Sequence, residues 1–361
     1  AALAANITGN FNTAVGTDAL YQNQGNHGST AVGFRAMYNA DNQVSPSLSR
    51  TANTAVGYEA LFGGAAPVNN TGSSNTAIGD RTLWGNESGS NNTAVGREAL
   101  YSNITGDFNT AIGVEALANN DMGSSNVATG ARALLNNQTG AENVASGVNA
   151  LRNNTTGSYN AAHGTGALAA NIDGNYNTAH GTGALSTNDH GGDNTANGAQ
   201  ALNSNTTGNR NTALGTGALA TNVSGSNNTA VGYGADVSMN NLINATAIGA
   251  GAQATTPFSM ILGDNSVNVG IGLSGNGNGP TNTENKCAIR TIKIDAVYAG
   301  TFVFPQRGRD EWSNWGFSNS IQTRLTKGTH NITLSFEPFN ENMNEVVNQA
   351  MLDYMRVIKL K

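Results

Sequence analysis

A five-residue phrase, Asn-Thr-Ala-Val-Gly, followed two residues later by Ala-Leu, recurs along this chain and leaves few folds open to it. It reads Asn92 to Gly96 with Ala99-Leu100, and again Asn109 to Gly113 with Ala116-Leu117. The phrase-ending glycines fall at Gly16, Gly33, Gly57 and Gly79, and then at every 17th residue as far as Gly249. A fixed short period over about fourteen copies is the mark of a stacked repeat, in which each unit buries its apolar side only against its neighbours.

Within one period the Asn-Thr-Ala-Val segment suits a short strand, the glycine a bend, and the Ala-Leu pair the start of a second extended piece. The remainder, such as Tyr101-Ser-Asn-Ile-Thr-Gly-Asp107, is turn chemistry, because Asn, Asp, Ser and Gly tolerate left-handed backbone or bond to it locally. A helix is excluded by the lack of apolar residues at i, i+3, i+4, i+7 and by the abundance of Gly and Asn. The expectation is a coil of parallel β-structure whose turns stack at roughly 4.8 Å, making a rod of very roughly 65 Å. Each turn offers one Val or Ile, one Leu and two alanines for burial. That is little apolar surface against the entropy of ordering a whole turn. Hydrogen bonds between turns and burial between chains are the further sources, so several parallel rods, most simply three, are expected to pack together.

These repeats, including Asn227-Asn-Thr-Ala-Val-Gly232 and the later Ser259-Met-Ile-Leu-Gly-Asp264 and Val267-Asn-Val-Gly-Ile-Gly272, resemble the head repeats of trimeric autotransporter adhesins. They resemble still more the related repeats of phage-type tail-fibre proteins. The similarity covers about residues 6–272. It implies an all-β fold, a left-handed parallel β-roll of 17-residue repeats in a homotrimer, exposed outside a cell or virion. In tail-fibre relatives the Val-Gly-Ile-Gly phrase leads into a chaperone domain; here it leads elsewhere. The opening, Ala1-Ala-Leu-Ala-Ala-Asn6, resembles the tail of a preceding repeat, and the chain is expected to be a fragment of a longer fibre.

Composition narrows the partners. With 46 glycines and only 11% charged residues in 361, the repeat region has the make-up of a disordered segment, and its strict period argues against that. A net charge of −6 with no basic stripe makes nucleic acid and anionic membrane poor partners. No apolar run approaches the length of a membrane span, so direct insertion is not expected. Cys287 is the single cysteine and has no intrachain partner.

Two insertions break the early period, Asp41 to Arg50 and Phe62 to Asn70, where a solenoid places surface loops. The residue before the repeat glycine also changes along the chain. It is Val or Ile through Ile112, becomes Thr129, Ser146, His163, His180 and Asn197, and returns to Leu214, Val231 and Ile248. Equivalent positions stack, so His163 and His180 are expected to be neighbours. In a trimer they would form an axial ion or water site, or a polar ladder satisfied by its neighbours. The threonine file Thr93, Thr110 lapses at Val127 and Val144, which argues against ice binding. Only Gly191-Gly-Asp193 faintly echoes a calcium-binding repeat.

Composition shifts after Gly272, and residues 273–361 form a second domain beside the 1–272 repeat domain. Trp312 and Trp315 and most of the positive charge lie there. Extended segments are readable at Ala288 to Val297, Gly300 to Phe304, Ser320 to Leu325, Asn331 to Phe336 and Leu352 to Leu360. Apolar and polar residues alternate from Ile289 to Asp295 and from Ile332 to Phe336, as half-buried antiparallel strands require. An antiparallel β-sandwich tip is expected. Gly275-Asn-Gly-Asn-Gly-Pro280, the strand ending at Pro305, Trp312-Ser-Asn-Trp315, the stretch Leu325 to Leu334 and Leu352-Asp-Tyr-Met-Arg-Val357 are similar to jelly-roll carbohydrate-binding modules of the family 6 and family 35 type. The similarity spans about residues 275–360 and lacks the opening strands of such a module.

That resemblance implies a sugar stacked on a tryptophan of the Trp-x-x-Trp loop, matched by Trp312 and Trp315. It also implies an amide just before the final Leu-Asp strand, where Met351 stands and Asn348 lies slightly upstream. Arg307, Arg309, Asn314, Asn342 and Asn344 are further polar candidates, since sugars pair with planar amides and guanidinium groups. Only Asp353 matches a structural calcium position of the family; otherwise no cofactor or metal is expected. No acid and base pair, nucleophile with partner, or metal-spaced cluster points to catalysis. The expected function is a trimeric extracellular fibre adhesin whose lectin-like tip binds cell-surface glycan or polysaccharide. The other reading is a structural spacer with a trimer-sealing cap.

Overall fold

The computed structural model describes residues 1–25, 27–39, 51–64 and 71–264, together with the backbone of residues 287–294, 297–305 and 332–335. The chain divides into two compact units, Ala1–Val269 and Gly270–Lys361. The first is an all-β parallel solenoid with turns of about 17 residues, and no helix occurs among the described residues.

Each Thr-Ala-Val phrase is a three-residue strand. The first is β1 (Thr13–Val15), followed by β2 (Thr30–Val32), β3 (Thr54–Val56), β4 (Thr76–Ile78), β5 (Thr93–Val95) and β6 (Thr110–Ile112). Next come β7 (Val127–Thr129), β8 (Val144–Ser146), β9 (Ala161–His163), β10 (Thr178–His180), β11 (Thr195–Asn197), β12 (Thr212–Leu214) and β13 (Thr229–Val231). With β15 (Thr246–Ile248) and β17 (Met260–Leu262) they form one 15-stranded parallel sheet in strict register, while β14 (Asp236–Val237) and β16 (Gln253–Ala254) pair as a separate two-stranded sheet. Strand Met260–Leu262 closes the stack after a shortened turn, pairing with Thr246–Ile248.

The second leg of the turn differs from the expected extended piece. It is a run of turns in which Leu100 has φ 50° and Glu98 φ 58°, repeated at Leu117, Leu134, Leu151 and their successors. Left-handed backbone at a leucine is unfavourable. The Leu100 N–H nevertheless donates to the Ala116 carbonyl at 2.9 Å, so the leg keeps a ladder to the next turn. The turn positions before each phrase, such as Phe108 at φ 57°, are left-handed as well. One position tolerates only glycine. Gly96 has φ 131°, and a Cβ there would meet the Gly113 carbonyl oxygen at 2.6 Å.

The core is narrow and half polar. Ala94, Ala99 and Leu100 are buried, and so are the matching residues of almost every turn. Between them run two files of buried asparagines, one opening each Asn-Thr-Ala-Val phrase and the other in the segment expected to be turn chemistry. In one file Asn92 Oδ1 accepts the Asn109 N–H at 2.9 Å, while Asn92 Nδ2 donates to the Gly106 carbonyl at 2.8 Å. In the other, Asn120 Nδ2 donates to Asn103 Oδ1 at 2.7 Å and to the Gly123 carbonyl at 2.8 Å, and so on turn after turn. In both files the amide oxygen and the amide nitrogen each have a partner, which is why full burial is tolerated.

The apolar residue before the repeat glycine is the second correction. It was counted toward the core, but in the single chain it points outward: Val15 is 57% exposed and Ile112 44%. Strand alternation is the cause. In Thr-Ala-Val the alanine faces inward, so both its neighbours must face out. In the last turns Ala245 stands where the first file would place an asparagine, its N–H still donating to Asn228 Oδ1 at 2.9 Å, and Val237 and Leu242 are buried.

In the second unit, β18 (Cys287–Ile294) pairs antiparallel with β19 (Val297–Pro305) on one side and β20 (Ile332–Ser335) on the other. The register between the first two shifts at Ile292/Lys293. The expected strands at Ser320 to Leu325 and Leu352 to Leu360 lie outside the described residues, as do the insertion Asp41 to Arg50 and residues 65–70.

Candidate functional site

The outer face of the 15-stranded sheet runs along the described solenoid, and its composition varies along the stack. Each strand contributes two outward residues, the first and third of its triplet. The third positions carry Val15, Val56, Ile78, Ile112, Leu214, Ile248 and Leu262, all exposed. The first positions are mostly threonine, with Val127 and Val144 exposed in the middle. A water-facing row of β-branched and leucine side chains over so many strands is the kind of apolar surface that marks an interaction site.

The row is interrupted over five strands. Thr129, Ser146, His163, His180 and Asn197 lie side by side in register across β7 to β11. The imidazoles of His163 and His180 are neighbours, ring centroids 4.7 Å apart and tilted by 47°. The phenol rings of Tyr159 and Tyr176 stack at 4.9 Å four residues earlier in the same two turns. The Tyr159 hydroxyl is held above its ordinary range, first by the Glu142 carboxylate close to it.

Three further features were not read from the sequence. A file of five rings, Tyr21, Tyr38, Phe62, Trp84 and Tyr101, stacks at 5.1 to 5.4 Å with planes within 8° of parallel. Its signal was present as aromatic residues following the Ala-Leu position, but only the early turns carry it. Beside it, charges alternate up the stack through Arg35, Glu59, Arg81, Glu98, Arg97, Glu115 and Arg132, ending in a 2.8 Å contact between Arg132 Nε and Glu115 Oε2. The hydrogen bond from Arg132 lowers the Glu115 carboxyl pKa. A shallow open groove is lined by Asn119, Asn136, Asn153, Asp121, Gln138 and Thr155. Asn119 and Asn136 there donate along the file to the next amide oxygen, at 2.9 and 3.2 Å.

Two carboxylates are perturbed or perturbing. Asp236 is buried, and burial raises its pKa against the bonds it accepts from Val237 N–H and Thr221. Asp173 lies 2.7 Å from His190 Nδ1, and that bond raises the imidazole pKa.

The tip residues Trp312, Trp315, Arg307, Arg309, Asn314, Asn342, Asn344 and Asn348, and the calcium-position residue Asp353, lie outside the described residues. Among the described residues no group of three or more His, Cys, Asp or Glu side chains is gathered to hold a metal ion, and no helix is long and apolar enough to cross a membrane. No protein-family model matches the chain, and no curated protein matches it.

Proposed function

We propose that the chain is one of three in an extracellular fibre adhesin, packed through the outer face of the 15-stranded sheet. In this reading the solenoid is a left-handed β-roll shaft, and residues 273–361 form a jelly-roll-like tip that binds surface glycans. The observation that supports it is the exposed row of Val, Ile and Leu before the repeat glycines, from Val15 to Leu262. Water contact with that row is unfavourable by roughly 25 cal/mol per Å² of apolar area, and a second sheet face removes it. A parallel three-fold arrangement places like turns at one level and sets three tips side by side. Weak sugar contacts then multiply through effective concentration.

The tip is tested on a glycan array with the intact chain and with Trp315→Ala. Binding that disappears in the variant while the assembly keeps its mass supports adhesion through Trp312 and Trp315. No binding to any glycan by an intact assembly supports the spacer reading instead. The packing face is tested separately by Ile112→Asp combined with Val95→Asp, which is expected to shift the assembly toward single chains.

A further inference from the structure

Four histidines lie among the described residues, and they fall into two kinds. His27 Nδ1 accepts the Asn10 N–H at 3.0 Å, and His190 Nδ1 faces Asp173 at 2.7 Å. The side chains of His163 and His180 make no hydrogen bond or ion pair among the described residues, and the two imidazoles lie against each other. They project from the exposed third positions of β9 and β10, whose backbones are locked in register as His163↔His180. The positions two residues before them hold only Ala161 and Thr178, and the flanking residues of the file are Ser146 and Asn197. Thus two imidazoles with unused nitrogens sit side by side on rigid strands, with no described carboxylate or cation in the file.

We infer that His163 and His180 form a two-imidazole chelate for a divalent first-row transition-metal ion of the Cu²⁺, Ni²⁺, Zn²⁺ group. Imidazole nitrogen suits these ions, whereas Ca²⁺ and Mg²⁺ take oxygen ligands, and the file offers no carboxylate for them. The parallel ladder holds the two ligands at the roughly 4.8 Å spacing of adjacent strands, so little order is lost on binding. A chelate of two nitrogens leaves coordination positions open. Ser146 and Asn197 stand on either side of the pair, and water fills the rest. The chelate requires only one chain. If copies pack through this face, as proposed above, the same pair from a second copy enters the open positions, and the ion then favours assembly.

The test is a calorimetric titration of the full chain, free of any purification tag, with NiCl₂ and with ZnCl₂, beside the variants His163→Gln with His180→Gln and, separately, His190→Gln. The expected result is an ion bound by the parent and by His190→Gln and lost in the double variant. Cu²⁺ electron paramagnetic resonance should show splitting from two imidazole nitrogens in the parent and its loss in the double variant. An unchanged titration in the double variant, or a parent that takes up no ion, overturns the inference. Sedimentation with and without Zn²⁺ separates the two readings. Bound ion with a single-chain mass keeps the chelate and removes the packing face, while an assembled chain without ion does the reverse.

Discussion

At the scale of single residues the least expected finding is the asparagine. Two buried amide files replace much of the apolar core a small coil would need. In the second file, Asn137 Nδ2 donates to Asn120 Oδ1 and the Gly140 carbonyl, both at 2.8 Å, and Asn137 Oδ1 accepts from Asn154 at 2.7 Å. Asn137→Asp keeps the shape and removes both donors, setting a carboxylate against two acceptor oxygens. It is expected to lower stability by about 1–3 kcal/mol, read as a reduced urea midpoint. Exposed charges act differently. His190 is exposed, and its hydrogen bond with Asp173 raises its pKa. Its contribution is therefore fully present below the ordinary imidazole value near ~6.5 and is lost as pH rises through the raised one. A proton NMR titration should place His190 above that ordinary value, with Asp173→Asn returning it.

At the scale of the element, the 17-residue turn was legible from Gly79 to Gly249 because only glycine can stand where φ is near 130° and the next turn's carbonyl is in contact. The inward alanines and leucines were legible too, as was the adjacency of His163 and His180, since equal positions in a repeat must stack. The asparagine files were not, because the same residue is favoured in turns, and composition cannot tell an exposed Asn from one whose amide bonds the neighbouring coil. Val95 and Ile112 were counted as core because an apolar residue on the outward side of a strand looks the same in sequence as one facing inward. The five-ring stack from Tyr21 to Tyr101 was also missed, and it makes the early turns distinct. Trp84 touches Phe62 on one face and Tyr101 on the other. Trp84→Ala is expected to cost about 1–3 kcal/mol from the two lost ring contacts. Because repeats couple mainly to their nearest neighbours, faster amide exchange should appear around residues 54–112 and fade beyond them.

At the scale of the whole molecule, the proposed three-chain packing rests on a coil with an amide-lined core and an apolar row facing water. The row and the five-strand polar belt lie on the same face, so one surface carries both the proposed packing contact and the imidazole pair. The measurement that tests this most directly is sedimentation equilibrium of the intact chain near neutral pH. Three times the 36.9 kDa of one chain is predicted, falling toward one when Val95 and Ile112 become Asp. A parent mass of 36.9 kDa with the coil still folded by circular dichroism would contradict it.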